Sequence, residues 1–273
     1  LVHSMTTIAT GGFANYDTSF GNMGVAVEYV AVIFMILAAL PFVRYVQLIG
    51  GSLKSFVSDS QVRTFLITAG IVTFILIIWQ INFVTNSYEF AIRKAAFNGV
   101  SILTGTGFAS DNYLQWGSFP ITFFFLIGLI GGCAGSTTCG IKIFRIQILY
   151  LFIVNQLKKI IYPRGIFIIK YDKNKVDDKF MASIISFIFL YLVIFFLITA
   201  FLSLSGLDFV TSISGAATSI SNVGPGLGSI IGPNGNFSSL PEISKWILSL
   251  GMILGRLELF AILVLFLPSF WRN

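Results

Sequence analysis

The sequence predicts an all-α membrane protein, and three observations carry that prediction. First, composition excludes an ordinary soluble domain. Of 273 residues, 56% are hydrophobic and 10% charged, with 29 Phe and a mean hydropathy of +0.89, whereas soluble domains carry about 25% charged residues. Second, residues 64–84 and 180–204 contain no charge, and each is long enough to cross a hydrocarbon core of about 30 Å at ~1.5 Å per residue. Third, an uncharged, helix-compatible stretch runs three times into a short Gly-centred turn, as TGGF at 10–13, GTGF at 105–108 and NVGP at 222–225. Aligned on Gly12, Gly107 and Gly224, the chain repeats about every hundred residues.

In chain order, residues 1–9 read as the end of a half-membrane helix and 24–43 as its return span. Residues 64–84 cross outward, 89–103 form a second half-helix, 104–110 turn, and the chain returns from Trp116. The third unit repeats this with 180–204 out, 208–220 as half-helix, 221–228 as turn and 243–268 back. Helices this short do not cross alone, and irregular backbone at membrane depth survives only where protein buries it or where it lines water. A re-entrant pore loop meets both conditions. The chain begins at Leu1 without Met, a few residues before the first turn, while the other turns have a full span ahead of them. It therefore reads as truncated, two and a bit repeats of a larger protein. No cleavable signal peptide is visible.

Charge sets the orientation, because short cytoplasmic loops accumulate Lys and Arg. The loop 158–179 holds Lys158, Lys159, Arg164, Lys170, Lys173, Lys175 and Lys179, and 44–63 adds Arg44, Lys54 and Arg63. Beside the Gly turns lie Asp17, Glu89, Asp111, Asp208 and Glu242, with Arg93 and Lys94 against them. The turns therefore open outward. The net charge of +6 follows from this loop bias, so no nucleic-acid partner is expected.

A cation leaving water needs replacement oxygens, and backbone carbonyls of an extended turn supply them if the backbone aims them at one axis. Glycine permits that geometry, since it tolerates positive φ. Each half-helix also points its partly negative C-terminal end at its turn, which favours a cation. Gly12, Gly107 and Gly224 are assigned to this role.

The segment 116–157 is too long for one crossing, since its 42 residues would measure about 63 Å as a helix. GGCAGSTTCG at 131–140 is the expected break, either as a mid-membrane polar loop or as a Gly hinge for close helix packing. A phosphate-binding loop is not expected there, because Ile141 stands where Lys is required and Lys142 comes one residue late. Arg256 and Glu258 fall in the last span, where a charge costs several kcal/mol and faces a cavity or a partner. They point to different faces, so each needs its own partner. Arg256 is expected either to pair with carbonyls or a neighbouring charge, or to lie against 131–140 near the pore axis. Glu28 reads as an interfacial or helix-packing residue, Cys133 and Cys139 as packing rather than a zinc site, and His3 as pore-helix packing. Trp116, Trp246 and Trp271 read as interface anchors.

The motifs HSMTTIATGGF (3–13), FNGVSILTGTGF (97–108), GGCAGSTTCGIK (131–142), SNVGPGLG (221–228) and GRLELFAILVLFLPSFW (255–271) resemble the membrane subunit of Trk/Ktr/HKT potassium transporters, most closely the TrkH type, over essentially the whole chain. The resemblance implies span–pore helix–filter loop–span units around a pseudo-fourfold ion pathway for K+. Here 1–48 would be the end of repeat 2, 49–178 repeat 3 with its intramembrane loop 131–140 and cytoplasmic loop 158–178, and 179–273 repeat 4. The first repeat is absent, and with it the filter position at which Ser is associated with Na+ permeability. The K+ filter would comprise Thr10, Gly11, Gly12, Gly105, Thr106, Gly107, Asn222, Val223 and Gly224. The gate would comprise Gly131, Gly132, Gly135, Ser136, Thr137, Thr138, Gly140, Lys142 and Arg256. The resemblance also implies a homodimer, a cytosolic nucleotide-binding regulatory ring docked on the basic loop, and a bacterial inner-membrane location; attraction of that loop to membrane lipid headgroups is the alternative.

The competing reading is a secondary transporter with broken helices that couples a substrate to an ion. An intramembrane enzyme is disfavoured, since no paired carboxylates, His cluster or activated nucleophile occurs in any span. No cofactor is expected.

Overall fold

Among the described residues, two helices are long and apolar enough to cross a membrane, α5 (Ser60–Phe83, 24 residues) and α9 (Asp178–Leu204, 27 residues). They follow α1 (Val2–Ile8), α2 (Val25–Ala38), α3 (Phe42–Ile49) and α4 (Leu53–Val57) in one case, and α6 (Tyr88–Leu103), α7 (Ser118–Gly128), α8 (Ile143–Ile161) and a hairpin of β1 (Lys170–Tyr171) and β2 (Asn174–Lys175) in the other. After α9 come α10 (Phe209–Ser221), α11 (Gly228–Ile231), α12 (Glu242–Arg256) and α13 (Leu259–Leu265). This computed structural model describes residues 1–273 apart from Lys173, Glu258 and Asn273. The sequence-based expectations for Lys173 and Glu258 therefore lie outside the described residues.

The long helices are apolar all round but buried on one stripe. On α5 the stripe is Val62, Phe65, Ala69, Val72, Leu76 and Gln80, at the three- and four-residue spacing of one helix face. The other side exposes Leu66, Ile67, Ile71, Phe74 and Ile78. On α9, Ile184, Phe187, Tyr191, Ile194, Ile198 and Leu202 are inside, while Phe189, Leu192, Phe196 and Phe201 face out. Large apolar side chains exposed along a helix this long are what lipid contact requires.

Each long helix hands over to a shorter one that packs back onto it. Gly99 of α6 lets Val72 and Leu76 of α5 approach its backbone. Gly251 and Gly255 of α12, four residues apart, do the same for α10: a methyl group at Gly255 would sit 1.9 Å from the Ile220 carbonyl oxygen, and one at Gly251 2.7 Å from Ser219 Oγ. Small residues at that spacing allow backbones to touch where lipid gives helices no hydrophobic reason to associate.

Three expectations need correction. The segment 24–43 is not a single return span, because α2 ends at Ala38 and the chain bends by 92° into α3. Pro41 lies at the bend, where its missing N–H and its ring oppose helix continuation. The segment 243–268 is broken too, with α12 ending at Arg256 and α13 leaving at 111°. Arg256 thus closes a helix rather than sitting mid-span, which frees its side chain to reach carbonyls outside its own helix. Trp116 is no interface anchor, being 3% exposed and packed on Tyr113 and Phe124, with its indole donating to Asp111. Trp246 and Trp271 are exposed.

Side-chain carboxylates cap the starts of α5 and α10. The Asp59 carboxylate accepts from Gln61 and Val62 N–H at 2.8 and 3.1 Å and pairs with Arg44 at 2.6 Å. Asp208 accepts the Thr211 amide at 3.1 Å at the start of α10. Hydrogen bonds from the Thr211 side chain, then its amide, hold the Asp208 carboxyl below its ordinary value of 3.8. A lowered carboxyl contributes stability above the ordinary aspartate range and loses it as pH falls through the lowered value. Asp208→Ala should therefore cost about 1 kcal/mol at neutral pH, measured by denaturation in detergent, with the difference from the parent protein shrinking in acid.

Candidate functional site

The three Gly turns share one local construction, visible first in their hydrogen bonds. In each, a residue just past the half-helix donates its N–H three residues back: Thr10 to Thr7 O (3.2 Å), Gly105 to Ile102 O (3.1 Å), Asn222 to Ser219 O (3.1 Å). The next residue donates five back: Gly11 to Thr6 O (2.8 Å), Thr106 to Ser101 O (2.9 Å), Val223 to Thr218 O (3.0 Å). This pair of bonds closes a helix through a left-handed residue, and Thr10, Gly105 and Asn222 have φ of 47°, 68° and 53°. A second left-handed residue follows two positions later, Gly12, Gly107 and Gly224 at 66°, 80° and 109°.

The consequence is directional. A trans peptide sets C=O opposite N–H, so with the N–H of Gly11, Thr106 and Val223 turned back on the half-helices, the carbonyls of Thr10, Gly105 and Asn222 point away from them. No backbone N–H among the described residues donates to the carbonyls of Thr10, Gly105, Thr106, Asn222 or Val223. Hydroxyls finish two of the turns, Thr6 Oγ1 donating to Phe13 O (2.8 Å) and Ser101 Oγ to Phe108 O (2.7 Å). In the third, Pro225 follows Gly224, and Asn222 Nδ2 instead donates to Met252 O on α12 at 3.0 Å.

The turns also meet one another. A methyl group at Gly12 would lie 1.9 Å from the Thr106 carbonyl oxygen, and one at Gly107 would lie 1.7 Å from the Val223 carbonyl oxygen. Each contact runs from a turn's second left-handed glycine to the residue just before the corresponding glycine of the next turn. Gly107 and Gly12 thus have two independent reasons to be glycine, φ and contact. At Gly224 a methyl group would meet nothing within 4 Å.

Beneath the turns runs the segment 131–140, between α7 and α8. It is held at both ends by Gly131 N to Ile141 O (2.9 Å) and Ile141 N to Leu129 O (3.1 Å). A methyl at Gly131 would collide with Cys139 O at 1.9 Å, so the two limbs touch. Gly132 N–H donates to Thr138 Oγ1 (3.0 Å), Cys133 N–H to Ala39 O (3.1 Å), and Gly135 O accepts from Phe42 N–H (3.0 Å). The break in α2–α3 is therefore where this segment docks. Gly135 and Gly140 both have φ of 73°. Ser136 Oγ lies 2.8 Å from Thr138 Oγ1, and Lys142 Nζ donates to the Thr138 carbonyl.

Side-chain contacts from α12 and to α1 tie the segment further to its surroundings. Thr137 Oγ1 donates to Ile8 O at 3.1 Å, at the C-terminal end of α1. Arg256 donates from Nη1 to Thr137 O at 3.0 Å and lies 2.6 Å from Cys139 Sγ. A cavity of about 300 Å³ opens here, lined by Ser136, Thr138, Lys142, Arg145, Phe187 and Arg256 among others. Sequence reasoning did not name Cys139 as a contact of Arg256, nor the hydroxyls of Thr6 and Ser101; the equal seven-residue offset from Thr6 to Phe13 and from Ser101 to Phe108 was the available signal.

A family described as TrkH, cation transport protein, matches residues 1–273. The chain is 42% identical to the Trk system potassium uptake protein TrkI of Halomonas elongata over 100% of its length. It is 32% identical to the Trk system potassium uptake protein TrkH of Escherichia coli K12 over 99%. In both cases it spans 56% of the relative. The crystal structure of the potassium transporter TrkH from Vibrio parahaemolyticus superposes with a TM-score of 0.92 at 29% identity, covering 98% of this chain and 58% of that one.

The contact geometry makes a stability prediction. Gly107→Ala should destabilise the detergent-solubilised protein by about 1–3 kcal/mol or more in thermal unfolding. Gly70→Ala, in a helix with nothing within 4 Å, should be neutral or stabilising by up to about 1 kcal/mol.

Proposed function

Because the chain belongs to the TrkH family of cation transport proteins, we propose that it is the pore-forming part of a potassium uptake protein, in which Thr10–Gly12, Gly105–Gly107 and Asn222–Gly224 supply backbone carbonyls to a desolvated K+. The observation that carries this reading is the matched register of the three turns, with their N–H groups turned onto the half-helices and adjacent turns touching through Thr106 O and Val223 O. Carbonyls without backbone donors, set at the negative ends of three half-helices, favour a cation and reject an anion. The potassium-uptake names of the relatives support K+ as the ion. The open side of Gly224 is where a further turn of the same kind would complete the ring.

Residues 131–140, with Lys142 and Arg256, form the gate in this reading. The segment crosses below the turns, and a fixed positive charge at Arg256 disfavours a cation passing it. Arg256 holds the segment through Thr137 O, so charge and obstruction move together. The units 1–48, 49–178 and 179–273 act as the end of one repeat and two complete ones. The protein lies in the bacterial inner membrane with its turns outward, pairs as a homodimer, and binds a cytosolic nucleotide-binding ring through the basic loop 158–178.

Expression of the complete gene product in a host lacking potassium uptake should restore Rb+ accumulation, and Arg256→Ala should raise uptake measured without the regulatory partner. Absence of uptake by correctly inserted protein would refute the potassium reading. Unchanged uptake by Arg256→Ala would remove Arg256 from the gate.

A further inference from the structure

Behind the middle turn lies a buried charge cluster that the pore reading does not use. Glu28 of α2 is 1% exposed, and its Oε1 accepts from Arg93 Nη1 and Lys94 Nζ of α6, both at 2.9 Å. Arg93 is also paired with Glu89 at 2.8 Å. Lys94 has a different second partner, since its Nζ donates at 2.8 Å to the carbonyl of Ser110, on the limb leaving the middle turn.

The contact belongs to a ladder along one face of α6, at residues 94, 98 and 101. Asn98 accepts Ser110 N–H through Oδ1 (3.1 Å) and donates from Nδ2 to Ser110 Oγ (3.1 Å) and to Lys94 O (2.9 Å). Ser101 Oγ donates to Phe108 O. Ala109, between them, is bonded from the first unit, its carbonyl accepting Phe20 N–H (2.9 Å) and its N–H donating to Ser19 Oγ (3.3 Å). Every residue of 108–110 is therefore fixed, two by α6 and one by the chain following the first turn.

We infer that Lys94 is a positioning residue for ion selection: bridging Glu28 of one unit and Ser110 of the next, it fixes the outgoing limb of the middle turn and so the spacing of the Thr106 carbonyl from the turn at Gly12. The argument rests on the potassium reading above. Its physical basis is that a filter whose oxygens resist moving inward disfavours a smaller ion, and groups behind a first coordination shell supply that resistance. An ammonium buried with a carboxylate and a carbonyl is a stiff support, because none of the three has water to turn to. A buried ion pair that only holds α2 against α6 would affect folding and leave ion preference alone.

The test is Rb+ uptake against competing Na+ by the complete gene product in potassium-uptake-deficient cells, with membrane levels measured in parallel. Lys94→Met leaves Glu28 paired with Arg93 and should lower the preference for Rb+ over Na+ by about tenfold, while Lys94→Arg should retain it. The double variant Glu28→Gln, Lys94→Met leaves Arg93 paired with Glu89, provides a charge-balanced cluster should Lys94→Met insert poorly, and should show the same lowered preference. Unaltered preference in either Met variant overturns the inference while leaving the potassium reading intact. Failure of the parent protein to take up Rb+ overturns the potassium reading instead.

Discussion

Backbone hydrogen bonding inside a membrane is the constraint on which this structure depends. Away from water each N–H and C=O needs a partner, and a helix that stops at mid-membrane leaves several without one. All three half-helices solve the donor half of that problem in the same way, folding two N–H groups back through a left-handed residue. The acceptor half is left open. Carbonyls turned away from their helices, with no backbone donor, are a liability in a lipid-facing loop and a binding surface in a pore. A second left-handed residue follows in each turn, and at Gly12 and Gly107 it lets the backbone come close enough for neighbouring turns to touch.

The same constraint explains the polar segment 131–140. Several of its peptide groups bond to Ala38, Ala39, Phe42 and Ile141 and to the side chains of Gln61 and Thr138, so the ends of broken helices hold it. Arg256 reaches it because α12 stops there, and α12 lies against α10 because Gly251 and Gly255 permit it. Turn, segment and last helix are thereby linked: Asn222 bonds Met252, and four residues on Arg256 bonds Thr137. Through these bonds α12 contacts both the third turn and the segment.

The long helices and the three turns were legible in the sequence, the former because uninterrupted apolar runs have few alternatives, the latter because glycine marks positive φ. The first left-handed position was hidden where it is Thr10, a β-branched residue that occupies it only because the helix end demands it, and only weakly signalled at Asn222, a residue type that tolerates it. The breaks at Pro41 and after Arg256 were masked by the apolar runs around them, which look continuous to any count of hydrophobicity. Trp116 misled for a related reason, since an aromatic at a span end reads the same whether it faces lipid or, as here, packs on Tyr113 and Phe124. The bonds from Glu28 to Arg93 and Lys94 join residues 65 and 66 positions apart, and nothing local announces them. In the site, a break in 116–157 was expected from length and its place at 131–140 from small, polar residues, but its anchoring on Ile8 and Ala39 depended on how distant elements pack.

The most direct measurement is an anomalous-scattering map of the complete protein crystallised with Tl+ in place of K+. The account predicts Tl+ density on the axis enclosed by the Thr10, Gly105 and Asn222 carbonyls, with main-chain oxygens of the turns as its protein ligands. Tl+ density held by side chains elsewhere, with none between well-resolved turns, would contradict it.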